Sequence, residues 1–109
     1  LLFSSKKLIP KGSKLKIIEV PGVFEIPIMI KKNIKRHDAF IALGCVIKGQ
    51  TPHFDFISQA SINAIMNLSI DNKKPIGNGI ITCLSLKQAK VRKKKGAEAT
   101  KAVLSILSQ

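Results

Sequence analysis

Residues 39–47 read Ala-Phe-Ile-Ala-Leu-Gly-Cys-Val-Ile, and this unbroken apolar run decides the fold class. A strand with one face in water alternates polar and apolar residues. A run without a polar position therefore describes a strand covered on both faces, as in a parallel sheet between helices. Immediately downstream, Thr51 and Pro52 form an N-cap and N1 pair, and Phe54, Ile57, Ala60, Ala64 and Leu68 continue one face of a long helix towards Ile70. Asp71 to Lys74 breaks that helix. Ile76 to Cys83 is a further apolar strand with glycines at 77 and 79, and a helical stretch from Leu86, interrupted around a lysine run, ends near Leu107. On the upstream side, Phe24 to Lys35 places Ile26, Ile30 and Ile34 four residues apart, with Pro27 tolerated in the first turn. Leu15 to Val20 alternates weakly and reads as a strand stopped by Pro21 and Gly22, and Leu1 to Ile9 is a helix stopped by Pro10 and Gly12. The chain thus opens inside a helix with no strand before it. Alternating helices and strands give right-handed crossovers and a layered sandwich, with ligands at the carboxyl ends of the strands.

The 109 residues suffice for one small α/β domain. Hydrophobic residues make up 45% of the chain and mean hydropathy is +0.17, apolar enough for a core and a subunit interface and too apolar for a disordered tail. No apolar run reaches the roughly 18–20 residues of a membrane helix, and no leader pattern is present, so a soluble cytoplasmic protein is expected. Cys45 and Cys83 lack metal-ligand spacing and read as small buried hydrophobes in a reducing compartment. The net charge of +13 raises the question of nucleic acid. The lysines are scattered, however, there is no tyrosine or tryptophan, and the five phenylalanines do not interleave with basic residues, so a basic surface suited to anionic substrates is the better explanation.

Three segments follow strands, where a site is expected: Val20 to Glu25, Gly44 to His53, and Gly77 to Thr82. Glycines at 22, 49 and 79 would admit a ligand close to the backbone. Gly49, Gln50 and Thr51 lead into a helix N-terminus, whose free N–H groups and positive dipole end suit a phosphate. His53 lies in the first turn of that helix, where the dipole disfavours imidazolium, so a neutral ring could accept and return a proton. A histidine merely tolerated at a helix start is an equal alternative from position alone. His37, in the polar connection Lys35 to Asp38, is expected to be exposed. Glu25 could cap a helix or bind a polyhydroxyl ligand. The run Lys90, Arg92, Lys93, Lys94, Lys95 reads as a solvated face from which one or two members could meet a phosphate.

The stretches VPGVFEIP (Val20 to Pro27), ALGCVIKGQTPHFDFIS (Ala42 to Ser58) and KKGAEAT (Lys94 to Thr100) resemble, in order and spacing, the hallmark segments of the lumazine synthase family. The resemblance runs through essentially the whole chain. It implies a flavodoxin-like three-layer α/β/α sandwich with a parallel four-stranded sheet in the order 2-1-3-4, residues 1–109 being a single lumazine synthase domain whose first strand is absent from the chain. It further implies a transferase of riboflavin biosynthesis that condenses 5-amino-6-(ribitylamino)uracil with 3,4-dihydroxy-2-butanone 4-phosphate to 6,7-dimethyl-8-ribityllumazine, with no cofactor and no metal. His53 would transfer protons and Arg92 bind the phosphate, with Lys95 as a second phosphate contact and Gln50 and Thr51 completing the anion site. Val23, Phe24 and Glu25 would hold the ribityl chain, and Val46 and Ile47 would line the uracil pocket.

The family pattern also implies a homopentamer with sites between subunits, in some members a 60-subunit icosahedral capsid, with riboflavin synthase as a possible partner and neither nucleic acid nor membrane. The chain departs from that pattern in three ways. It begins after the strand whose aromatic residue stacks on the uracil. Asn78 stands where phenylalanine is frequent, offering an amide to the substrate pocket. The segment from Arg92 to Lys95 is shorter than usual by about five residues, which affects the choice among Lys93, Lys94 and Lys95. A non-catalytic pentamer or shell scaffold of the same fold is the alternative function, with a basic nucleic-acid module far behind.

Overall fold

The strand–helix–strand unit expected over residues 39–83 is present. The computed structural model describes all residues except 49–52, 86, 89–91 and 93, and excludes the side chains of residues 53 and 54. Its elements run α1 (Leu2–Lys6), a 3-10 turn (Val23–Glu25), α2 (Ile26–Lys32), β1 (Phe40–Ile47), α3 (His53–Asn72), β2 (Ile76–Cys83) and α4 (Lys95–Leu107). The two strands pair in parallel, Phe40 opposite Ile76 through to Ile47 opposite Cys83, with α3 as the crossover that parallel pairing requires. The architecture is therefore mixed α/β with a parallel sheet and flanking helices.

Alternation along the strands divides the sheet into two faces. Even-numbered residues Phe40, Ala42, Val46, Ile76 and Ile80 join Ile26, Ile30 and Ile34 from the α2 region and Ile65 from α3 in one core cluster. The expected four-residue spacing of those three isoleucines is realised as a buried stripe, each contributing about 1.5–3 kcal/mol on removal from water. On the opposite face lies α4. A Cβ on Gly77 would stand 2.5 Å from the Ala99 carbonyl oxygen and 2.9 Å from Val103, so glycine is what lets α4 approach the strand this closely. Helix α1 packs against α4 through a buried hydrogen bond between the hydroxyls of Ser5 and Thr100, 2.6 Å long, and Thr100 also donates to the Gly96 carbonyl.

Helix ends follow local chemistry. Helix α2 stops at Asn33, whose side-chain amide donates to the Met29 carbonyl, and the Lys74 ammonium donates to the Ile34 carbonyl just beyond, placing a cation where the helix dipole is negative. Helix α3 ends where Lys73 turns to φ +54°, with Ser69 donating to the Lys74 carbonyl.

Several expectations are corrected. Leu15 to Val20 forms no strand: among the described residues it has no ladder, and Leu15, Ile17 and Ile18 are exposed. A strand exists by virtue of a neighbour, and between this segment and β1 lies a cleft of about 800 Å³ lined on one side by Leu15 to Val20 and on the other by Phe40 to Leu43. The opening helix covers only Leu2–Lys6, and the helix expected from Phe24 begins as the 3-10 turn and reaches only Lys32. The buried face of α3 is Ser58, Ser61 and Ile65, and Ala60 is exposed. Apolar residues occur on every side of that helix, Phe56, Met66 and Ile70 being exposed, so spacing alone could not choose the inward face. The last helix covers Lys95–Leu107, Lys87 and Gln88 upstream of the lysine run are also helical, and Leu86 lies outside the described residues. Cys83 is buried as expected, but Cys45 is exposed. His37 is half-buried, its ring edge-on to Phe40 at 5.9 Å. No helix among the described residues is long and apolar enough to cross a membrane.

Candidate active site

The carboxyl ends of β1 and β2 lie side by side, held by the Lys48 N–H donating to the Cys83 carbonyl at 2.8 Å. Of the segments singled out in the sequence, the turn of Val20 to Glu25 packs against β1, whereas Gly77 to Thr82 does not follow a strand but is β2 itself, with Gly77 and Asn78 at its amino end opposite Ile41 and Ala42. The 3-10 turn Val23–Glu25 is seated against β1 at Gly44, where a Cβ would lie 2.8 Å from Val23 Cγ2, and against α3 through Ser61, whose hydroxyl donates to the Val23 carbonyl at 3.3 Å. Val23 is half-buried there and Phe24 is exposed. Glu25 makes no capping hydrogen bond to α2, and its carboxylate lies over Gly22, 3.1 Å from where a Cβ would be. The capping role is thus not taken up. Val46 packs against the core cluster and Ile47 is exposed at the strand end.

On the β2 side, Arg92 is fixed by donating from its guanidinium to the Thr82 carbonyl at 2.8 Å. One N–H is spent on this bond, and the remaining donors of the fork are available for an anion. The main chain then turns into α4 through the Lys95 N–H donating to the Arg92 carbonyl at 3.1 Å. The Lys95 ammonium stands 3.6 Å from the Glu98 carboxylate, both side chains largely exposed. Such a pair is worth about 0–1 kcal/mol and yields readily to a better anion. Asn78 turns its side-chain carbonyl to its own strand, accepting from the Ile80 N–H at 3.0 Å.

Two expectations about the rim fail on packing grounds. Gly79 is not a point of ligand approach: a Cβ there would meet Leu43 at 2.6 Å and the Ala42 carbonyl at 2.9 Å, so the space belongs to the neighbouring strand. Gly22 is covered by the Glu25 carboxylate of its own turn. Gly49, Gln50 and Thr51 lie outside the described residues, as do Lys90 and Lys93 of the cationic run. His53 begins α3, the next described element after β1, and its side chain lies outside the described residues. Sequence reading overlooked Ser61 and the Thr82 carbonyl, which anchor Val23 and Arg92. A serine on a helix face and a backbone oxygen carry no signal in a residue string.

Comparison with known proteins bears on this geometry. A family model described as 6,7-dimethyl-8-ribityllumazine synthase matches residues 4–109. The 6,7-dimethyl-8-ribityllumazine synthase of Corynebacterium kroppenstedtii is 40% identical over 95 residues, covering 81% of this chain and 60% of the relative. That of Thermobifida fusca is 38% identical over 82 residues, covering 75% and 48%. The 6,7-dimethyl-8-ribityllumazine synthase 1 of Rhodopseudomonas palustris is 42% identical over 108 residues, covering 88% and 66%. The chain spans between about half and two thirds of the length of these relatives.

Proposed function

The chain belongs to the 6,7-dimethyl-8-ribityllumazine synthase family, and on that premise we propose that the rim at the ends of β1 and β2 condenses 5-amino-6-(ribitylamino)uracil with 3,4-dihydroxy-2-butanone 4-phosphate. The observation that carries this reading is the fixing of Arg92 on Thr82 beside the strand end that leads to His53. A guanidinium and an imidazole on adjoining elements are what phosphate elimination coupled to proton transfer requires. The substrate amine adds to the ketone, water leaves as the imine forms, phosphate is eliminated, and the second amine closes the ring on the remaining carbonyl with loss of a second water. His53 moves protons in these steps. Arg92 and Lys95 hold the phosphate as charge develops on it, with Gln50 and Thr51 at the helix mouth. Val23, Phe24 and Glu25 receive the ribityl hydroxyls, Glu25 having a carboxylate not engaged in capping. Val46, Ile47 and Asn78 adjoin the ring. No cofactor or metal enters these steps.

The finer fold belongs to the same proposal. Residues 1–109 are one domain with the sheet order 2-1-3-4, in which β1 is strand 3 and β2 strand 4, and Leu15 to Val20, which makes no ladder among the described residues, lies across the cleft from β1. The cleft of about 800 Å³ is the berth of strand 1. Support comes from the pairing phase. The Phe40 N–H donates to the Pro75 carbonyl and the Lys48 N–H to the Cys83 carbonyl, so even residues of β1 face β2, the main-chain groups of the odd ones face away from it, and those of Ile41 and Leu43 adjoin the cleft. Exposed Phe24, Ile28, Phe56, Met66 and Ile70 suit a cytoplasmic homopentamer, which in a 60-subunit shell could enclose riboflavin synthase.

The test is catalytic. Protein carrying the complete sheet, given both substrates, should generate the lumazine chromophore, and His53→Ala should slow turnover by about 10²–10⁴-fold. Undiminished turnover by a His53→Ala, Arg92→Ala double variant would overturn these roles. The exposed apolar surface also suits a non-catalytic scaffold, which would assemble yet bind no ribityl ligand.

A further inference from the structure

We propose that Cys45 and Cys83 together bind a soft monovalent metal ion of the Cu(I) class, bridged between their sulfurs across the two strands. This does not rest on the reading of function above, which uses neither residue. In the ladder Cys45 is opposite Ile81 and Cys83 opposite Ile47, so the cysteines stand on adjacent strands two positions apart. Alternation puts both side chains on the same, odd-numbered face of the sheet. Cys83 is 1% exposed and Cys45 is open to solvent, so one sulfur anchors from the interior and the other gives the route of entry. The thiols bear on each other: burial first, then the charge of Cys83 and a hydrogen bond with it, raise the Cys45 thiol above its ordinary value. A bound cation removes that repulsion, since a positive charge sits between the two thiolates.

The step is a simple exchange. Two S–H bonds break, two metal–sulfur bonds form, two protons go to solvent, and nothing is oxidised or reduced. The ligand set selects the ion. Among the described residues no group of three or more His, Cys, Asp or Glu could hold a metal, so the four-ligand shell of structural zinc is not assembled. Thiolates alone favour soft ions such as Cu(I), which is content with two ligands. A direct disulfide fits less well. With parallel strands about 4.8 Å apart and a rise of about 3.3 Å per residue, diagonal neighbours two positions apart stand about 8 Å from each other at Cα, beyond the roughly 4.4–6.8 Å of an unstrained disulfide, whereas an interposed ion lengthens the span by one bond.

Anaerobic titration of the chain with Cu(I) against a chromophoric Cu(I) chelator tests the site. One ion per chain is expected, with an ultraviolet sulfur-to-copper band, and both are lost in Cys45→Ser, whose exposed position leaves the circular dichroism spectrum unchanged. Alkylation of Cys45 in the unsubstituted chain should abolish the band, which removes dependence on any variant. No Cu(I) bound by the unsubstituted chain, or unchanged binding after Cys45→Ser or alkylation, would overturn the proposal.

Discussion

The two outer edges of the β1–β2 sheet are finished in opposite ways. At the edge of β2 two outward groups are met locally: the Ile80 N–H is taken by Asn78 two residues away, and the Thr82 carbonyl by Arg92 ten residues away. The edge of β1 faces the cleft, and the segment across it, Leu15 to Val20, makes no ladder with it. Both edges carry the same unsatisfied main-chain chemistry, and a buried N–H or C=O left unpaired costs about 1–3 kcal/mol. Local side chains therefore suffice to finish an edge strand, whereas an interior position in a sheet demands another strand.

The contrast can be broken most sharply by amide hydrogen exchange. Ala42, Gly44 and Val46, whose N–H groups face β2, should exchange at least about 100-fold more slowly than Ile41 and Leu43, whose N–H groups face the cleft. Uniform protection along β1 would show that the cleft edge is already paired. A smaller effect is expected at the closed edge. Asn78→Ala frees the Ile80 N–H and should lower unfolding stability by about 1 kcal/mol in urea titration. No change would mean that water serves that edge equally well.

The smallest effect concerns Cys45. Because burial, and then the neighbouring Cys83, hold its thiol above the ordinary value, less thiolate is present at neutral pH than for a free cysteine. Folding is favoured by this group while the thiol stays protonated, and that contribution is lost as pH rises from the unfolded-state value through the raised folded one. Reaction with a chromogenic disulfide should be slow near pH 7 and accelerate with alkali. Cys83→Ala should shift the midpoint to lower pH, and an unshifted midpoint would leave burial as the sole cause.

Much of this was legible in the sequence because it is local. The polar-free run of residues 39–47 announced a strand covered on two faces, and the spacing of Ile26, Ile30 and Ile34 announced the stripe that covers one of them. Of the candidate site, the turn at Val23 follows from the Pro–Gly signal, while the Thr51–Pro52 pair expected to cap α3 lies outside the described residues. What was hidden depends on pairing. Leu15 to Val20 has a strand's composition without a strand's neighbour, α3 carries apolar residues on all sides so that its inward face is set by the sheet, and the shared face of Cys45 and Cys83 exists only once the register is known.

The hydroxyl contact between Ser5 and Thr100 joins positions 95 residues apart. A chain emerging from the ribosome cannot make it until Thr100 has been synthesised. Helix α1 thus waits for a partner made much later, and until then its apolar residues depend on chaperones or on transient company elsewhere.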